Sequence, residues 1–356
     1  MYKFLLIEDC KEDSDVFLST IKRMNSEAGR NQYEITVADS YATGLSMINE
    51  DINGVIVDVK LDDDNNGNDI IHEIMQKYRL PVAIFTGTPD TEQDKGSPII
   101  VYKKGEAKQE DIITNLCSVF DTGLFKVLGG TGIIESVMNK VFWNNLYPQI
   151  NLWKSKKENG IDTEKVLLRY AISHIQELID SEMPAHVTEE MYICPPVNDL
   201  IKTGSIIKAK SDGLYFIVLS PPCDLSVHDG KMKTDWVLLC EIELQATVNA
   251  RIIGAAKSLP KQESLIAKAL NNNYTDYYHW LPENSLFQGG YVNFRKVITY
   301  SPDEVTEQFN HPLLKVQEGF VKSILGRFST YYARQGQPDF DFETEAKNIV
   351  SKFAAI

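Results

Sequence analysis

Residues 54–61 read GVIVDVKL. Four small or branched apolar residues run without interruption into an acid, Asp58. A run this short and this uniformly apolar reads as a strand buried on both faces, the habit of parallel sheets. The same texture recurs on either side. Phe4–Ile7 runs into Glu8 and Asp9, Val82–Thr86 ends on a hydroxyl, Ile99–Lys103 ends on a lysine, and Tyr33–Asp39 fits a fifth strand. Amphipathic stretches separate them. Ser14–Met24 carries Val16, Phe17, Ile21 and Met24 on one face, Tyr41–Asn49 and Asp69–Tyr78 are similar, and Asp111–Phe120 closes the series. Five β/α units in about 120 residues predict a doubly wound, flavodoxin-like α/β domain.

Such sheets place their chemistry at the carboxyl ends of the strands. Glu8, Asp9, Asp58, Thr86 and Lys103 all fall there. A carboxylate can attack phosphorus, but its charge repels the incoming group, so phosphoryl transfer to an acid needs a bridging cation and a charge clamp. Mg²⁺ is held by one or two carboxylates with water and phosphate oxygens. Glu8, Asp9 and Asp58 supply the carboxylates, Lys103 would neutralise phosphoryl oxygens, and Thr86 would donate to one of them.

This constellation resembles the response-regulator receiver family. The resemblance rests on FLLIEDC with its acidic pair, VIVDVKL with Asp58, AIFTGTP with Thr86 and IIVYKKG with the lysine, and it spans residues 1 to about 120. It implies that Asp58 accepts a phosphoryl group, that Mg²⁺ lies on Glu8, Asp9, Asp58 and the backbone carbonyl of Lys60, and that a histidine kinase or phosphotransfer protein is the partner. Several positions depart from the family pattern. Asp62 stands where a proline is usual, followed by Asp63, Asp64, Asn65 and Asn66. Lys104 stands after Lys103 where a proline is usual, so the site lysine is Lys103 with Lys104 as its alternative. The interval Gly87–Pro98 is too short for a full helix. Ile100 occupies the position of a switch aromatic.

The whole chain has 356 residues, more than one ordinary core accommodates. It divides on the page into the receiver at 1–122, a helical connector at 123–186 and an α+β output domain at 187–356. The formal charge of −14 is uneven: residues 1–125 carry 12 Lys and Arg against 23 Asp and Glu, residues 126–356 carry 24 against 27. The acidic part repels nucleic acid, which leaves the C-terminal half as the place where nucleic acid is admitted. No apolar run approaches the ~20 residues of a membrane span, and Phe4–Ile7 is too short for a signal h-region. The expectation is a cytoplasmic protein without membrane attachment, with a homodimer admitted. Five scattered cysteines without C-x-x-C argue against a disulfide framework or zinc ribbon.

In the connector, Gly129-Gly130-Thr131-Gly132 reads as a helix-entry turn rather than a phosphate loop. A helix is predicted from Ile133 to about Leu146, ended or kinked at Pro148, then a loop over Lys154–Gly160 and an amphipathic helix over Thr163–Ser181. Farther on, Ile206–Lys210, Leu214–Ser220, Trp236–Glu243, Val248–Ile253, Tyr291–Phe294 and Lys296–Tyr300 read as strands of a small antiparallel barrel or sheet. Helices are expected over Ser258–Leu270, Pro312–Tyr332 and Glu343–Phe353. The lead-in to SPPCDLSVHDG loosely resembles the opening hairpin of SH3-like barrels, including toxin-type endoribonucleases.

Two features of this half admit chemistry. Cys223, Asp224 and His228, with Cys240 nearby, admit a Cys–His pair or a metal, against the plainer reading of a buried cysteine among turn residues. Lys315, Lys322, Arg327 and Arg334 alternate with Phe328, Tyr331 and Tyr332, a pattern that either binds an acidic ligand or packs its aromatics inward. The leading expectation is therefore a phosphorylated switch with an output domain lacking a helix-turn-helix signature. Its rival is an effector or adaptor whose receiver only docks, with nuclease-like or binding activity in the second half.

Overall fold

The computed structural model describes the whole chain except residues 50, 62–64, 88–98, 129–131, 183–185, 229, 335–339 and 355–356. It divides into two compact units, Met1–Met183 and Pro184–Ile356. The expected readings at Asp62–Asp64, Gly129–Thr131 and most of Gly87–Pro98 lie outside the described residues.

The first unit begins with β1 (Tyr2–Ile7), α1 (Lys11–Glu27), β2 (Tyr33–Ala38), α2 (Tyr41–Met47) and β3 (Gly54–Val57). The small hairpin β4 (Lys60–Leu61) and β5 (Asn65–Asn66) follows, then α3 (Gly67–Lys77), β6 (Val82–Thr86), β7 (Ile100–Lys103) and α4 (Gln109–Asp121). The main sheet is parallel, in the order β2-β1-β3-β6-β7. The strand order reverses between β1 and β3, as in flavodoxin-like sheets, and that reversal opens a crevice at the strand ends. The doubly wound α/β fold expected for this segment is the fold observed.

Side-chain alternation along the strands sorts the core into two layers. Phe4, Leu6, Ile56, Phe85 and Tyr102 face α1 and α4, packing with Phe17, Ile21, Ile112 and Leu116. Leu5, Ile7, Val55, Val57, Ile84 and Val101 face the other way, with Ile71 and Ile74 of α3. Both layers are drawn from one continuous apolar run per strand. Each fully buried Leu, Ile or Phe contributes about 1.5–3 kcal/mol of transfer free energy.

Beyond α4 the chain forms α5 (Leu124–Leu128), α6 (Ile133–Val141), a π-helical turn (Phe142–Leu146), a 3₁₀ turn (Tyr147–Gln149), α7 (Ile150–Glu158) and α8 (Thr163–Glu182). Lys154–Gly160 was expected to be a loop, but its first five residues complete α7. Lys154, Lys156 and Lys157 are good helix formers, and Trp153 packs on Tyr170 of α8 with ring centroids 5.4 Å apart. Pro148 does not end the helical run, because it sits in the first turn of the 3₁₀ segment, where its missing N–H is no loss.

The second unit contains β8 (Tyr192–Ile193), β9 (Ser205–Lys208), β10 (Tyr215–Val218), the hairpin β11 (Val227–His228) and β12 (Lys231–Met232), and β13 (Val237–Leu244). Then come α9 (Gln245–Gly254), α10 (Leu259–Leu270), β14 (Tyr278–Leu281), β15 (Gly290–Tyr300), α11 (Pro302–Gln308), β16 (Leu314–Val316), α12 (Glu318–Ala333) and α13 (Phe342–Ala354). Seven strands form an antiparallel sheet in the order β14-β15-β13-β10-β9-β16-β8. Alternation again splits the core: Ile217 and Cys240 pack under α12 with Val321 and Ile324, while Phe216, Val218 and Leu239 pack with Val305 and Phe309 on the opposite face.

Three expectations about elements of this unit need correction here. Val248–Ile253 is helical, within α9, because Val248 and Ile252 share a buried face one turn apart. Tyr291–Phe294 and Lys296–Tyr300 are one strand, β15, opposite a register shift between Cys240 and Ile242. The helix expected from Pro312 starts at Glu318, since Leu314–Val316 is claimed by pairing with β9 and β8.

Candidate functional site

Glu8 follows β1 and Asp58 follows β3, the two strands that flank the topological reversal. Each continues the alternation of its strand. Glu8 has the parity of Leu6 and Asp58 that of Ile56, so both side chains belong to the face covered by α1 and α4. Lys104, one residue past β7, has the parity of Tyr102 and joins the same face. Its Nζ donates to Glu8 Oε2 at 2.7 Å, to Asp58 Oδ2 at 2.9 Å and to Asp13 Oδ2 of α1 at 2.7 Å. It also lies 5.6 Å from the centroid of the Phe85 ring, a cation–π distance.

The lysine that meets these acids is thus Lys104, the alternative to Lys103. Lys103 has the opposite parity. It pairs with Glu106 in the turn beyond the strand, with 44% of its side chain exposed. Lys104 was open as the alternative, and its backbone N–H is itself held by Thr86 O at 2.8 Å.

The acids are largely out of water: Glu8 is 1% exposed and Asp58 5%. Glu8 Oε1 accepts from the Cys10 N–H at 3.1 Å and Asp58 Oδ1 from the Lys60 N–H at 3.2 Å. Burial pushes the Glu8 carboxyl up to about 7, and the Asp58 charge adds to that, outweighing the hydrogen bond from Lys104. For Lys104 the balance is reversed. Burial works against its ammonium, but three carboxylate acceptors hold its pKa above the usual lysine range. Thr86 is fully buried at the end of β6.

Carboxylate oxygens of Glu8, Asp9 and Asp58 lie within 4.8 Å of one another. Three hard oxygen donors at that spacing suit a small divalent cation, so these residues fit the Mg²⁺ expected of them. Lys60 is two residues beyond Asp58, in the β4–β5 hairpin. Asp13 is the site residue that sequence reasoning missed. It lies in the acidic first turn of α1, and its only linear signal is that this turn directly follows the Glu8–Asp9 strand end.

The candidates in the second unit do not assemble. Cys223 Sγ faces Asp224 Oδ1 at 3.6 Å, and His228 sits exposed on the β11–β12 hairpin. Among the described residues Cys223, Asp224 and His228 form no metal-ligating cluster. Cys240 is a core thiol, its Sγ donating to Asn293 O at 3.1 Å and its pKa pushed up to about 12 by burial. Phe328 and Tyr331 of α12 pack inward, 5.6 and 6.3 Å from the Phe294 ring, while Tyr332 is 55% exposed. Arg327 donates to Tyr278 O at 2.9 Å and Arg334 to Asp276 at 3.2 Å, so both are engaged within the unit.

No family model and no curated protein matches the chain. Solved structures similar to its first third are response-regulator receiver domains. A CheY-like receiver domain from Methanospirillum hungatei is 19% identical, covering 34% of this chain and 95% of its own, with a TM-score of 0.29. The non-phosphorylated HemR receiver domain from Leptospira biflexa is 19% identical, covering 34% and 94%, at 0.28. The response regulator TrrA from Thermotoga maritima, solved with Mg²⁺–BeF, is 18% identical, covering 33% and 99%, at 0.26. No single helix of the described residues is long and apolar enough to cross a membrane.

Proposed function

We propose that the first unit is a phospho-accepting switch, with Asp58 the acceptor and the second unit its output. The observation that carries this reading is the junction of Asp58, Glu8 and Lys104 at the ends of β3, β1 and β7 of one parallel sheet. In this reading a carboxylate oxygen of Asp58 attacks phosphorus. The new P–O bond forms as the bond to the donor, a kinase phosphohistidine or acetyl phosphate, breaks, and the donor leaves with its electron pair. Mg²⁺ would supply charge neutralisation for the transfer. Glu8, Asp9, Asp58 and the Lys60 carbonyl would hold it.

Lys104 takes the clamp role first assigned to Lys103. Its ammonium exchanges carboxylate partners for phosphoryl oxygens, and Thr86 donates its hydroxyl to one of them. The phosphoryl group adds about −1.5 to −2 charges to a site already rich in acids. Release of Lys104 from Asp13 is then the local change that α1 reports. No aromatic stands three residues before either lysine. Tyr102 is the aromatic of β7, and its hydroxyl accepts from Asn115 of α4.

The test is phosphorylation by acetyl phosphate, and binding of beryllofluoride, with Mg²⁺, read by intact mass and amide exchange. One adduct that Asp58→Asn abolishes, with protection changes past residue 183, is the expected result. Absence of both an adduct and Mg²⁺ binding would overturn the reading and leave the first unit as a docking module.

A further inference from the structure

The helical segment from α6 to α8 has almost no core of its own. Val141 is its one buried apolar residue among those described, whereas eleven large apolar residues between Ile133 and Ile179 are exposed. Three of them are aromatic and touch. Phe142, Trp143 and Tyr147, on the π-helical and 3₁₀ turns, have ring centroids 5.0 to 5.6 Å apart while 42%, 61% and 49% exposed. On α8, Leu168, Ile172 and Ile179 are 63%, 55% and 40% exposed. With half-buried Ile175 they are spaced four, three and four residues apart, the rhythm of a helix–helix seam. Free-standing helices of this length owe their stability to a packed apolar face, and this face is unpacked.

We infer that this helical hairpin is a homodimerisation element, completed as a four-helix arrangement by the same hairpin of a second copy turned end for end. Charge argues for a copy of itself. Residues 154–169, around the turn between α7 and α8, hold five basic residues against three acidic. The opposite end holds Lys140 against Glu135 and Glu177. End-for-end pairing sets the basic end of one copy on the acidic end of the other, and a C2 axis makes that match twice. The seam itself is apolar, as two-helix halves of bundles require. The aromatic trio is the anchor, since interface energy concentrates in such side chains. This inference stands apart from phosphorylation at Asp58 and does not depend on it.

The test is sedimentation velocity of the full chain at micromolar concentration, with vesicle flotation beside it. The wild type is expected to be a dimer. Trp143→Glu and Ile172→Glu, both at exposed positions, should each raise the dissociation constant about thirtyfold or more, the effect of losing a hot-spot side chain, with unchanged circular dichroism. Val197→Glu, 86% exposed in the other unit, should leave the dimer intact. Lys156→Glu with Lys157→Glu should weaken the dimer, and adding Glu177→Lys should restore it in part. A monomeric wild type, or a dimer indifferent to Trp143→Glu and Ile172→Glu, would overturn the inference. So would a monomer that floats with phosphatidylcholine vesicles, which would assign the face to a lipid surface.

Discussion

Lys104 donates to Asp58 across 2.9 Å although 46 residues separate them. The contact exists because β3 and β7 flank β6 in one parallel sheet and both residues follow their strands on the same side. A single ammonium thereby faces three carboxylates in a site largely closed to water. Removing one partner of such a cluster leaves charge that the surroundings cannot solvate.

Lys104→Ala is therefore expected to destabilise the first unit by about 3 kcal/mol at pH 8, near the low end for breaking a buried pair. Lys103→Ala removes only an exposed contact with Glu106 and should cost less than about 0.5 kcal/mol. Urea unfolding of both variants decides between the lysines. Equal effects would show that Lys104 is no more than a surface cation.

Stability should fall with rising pH through the titration of Glu8. Its folded pKa, about 7, lies above the ordinary 4.5. The folded state thus keeps the proton longer than the unfolded chain does. The resulting stabilisation is full below about 4.5 and is lost as pH rises to 7, by at most roughly 3 kcal/mol. Glu8→Gln should remove that slope, so the variant gains on the wild type across this window. Parallel stability curves for the two proteins would contradict the raised pKa.

Gly204 leads into β9 with φ +83°, and a Cβ there would run into Val321 Cγ2 and lie 3.3 Å from Val316 O. Gly204→Ala combines a left-handed backbone with overpacking of the α12 interface, at about 2–4 kcal/mol. Thermal unfolding should show this loss in the second unit alone. A neutral substitution would mean that α12 gives way at little cost.

The five cysteines should divide three to two. Cys10, Cys194 and Cys223 are exposed, whereas Cys117 and Cys240 are buried with thiol pKa values pushed up by desolvation to about 11 and 12. A thiol reagent should label three groups rapidly in the native protein and all five in denaturant. Fast labelling of Cys240 would contradict its place under α12.

The first third of the chain was legible because each strand there is one short apolar run, and because strand ends in such a sheet carry the chemistry. Glu8, Asp58 and Thr86 could be placed from that rule alone. The second unit was harder to read. Strands such as β9 and β10 are buried on both faces yet paired antiparallel, so neither alternation nor a clean βα rhythm marks them. Leu314–Val316 is a strand only because β9 and β8 lie on either side of it. Val248–Ile253 looked like a strand from its branched residues, yet Val248 and Ile252 fall on one helical face against Tyr278 and Tyr291.

The sequence by itself determined the doubly wound order of elements in the first unit and the acids at its strand ends, because local apolar pattern and chain direction suffice for both. Only the tertiary structure decided which lysine meets those acids, that Asp13 joins them and that the connector leaves its apolar side exposed. Each of these depends on which face of an element its neighbours cover, and facing is a property of packing between residues far apart in the chain.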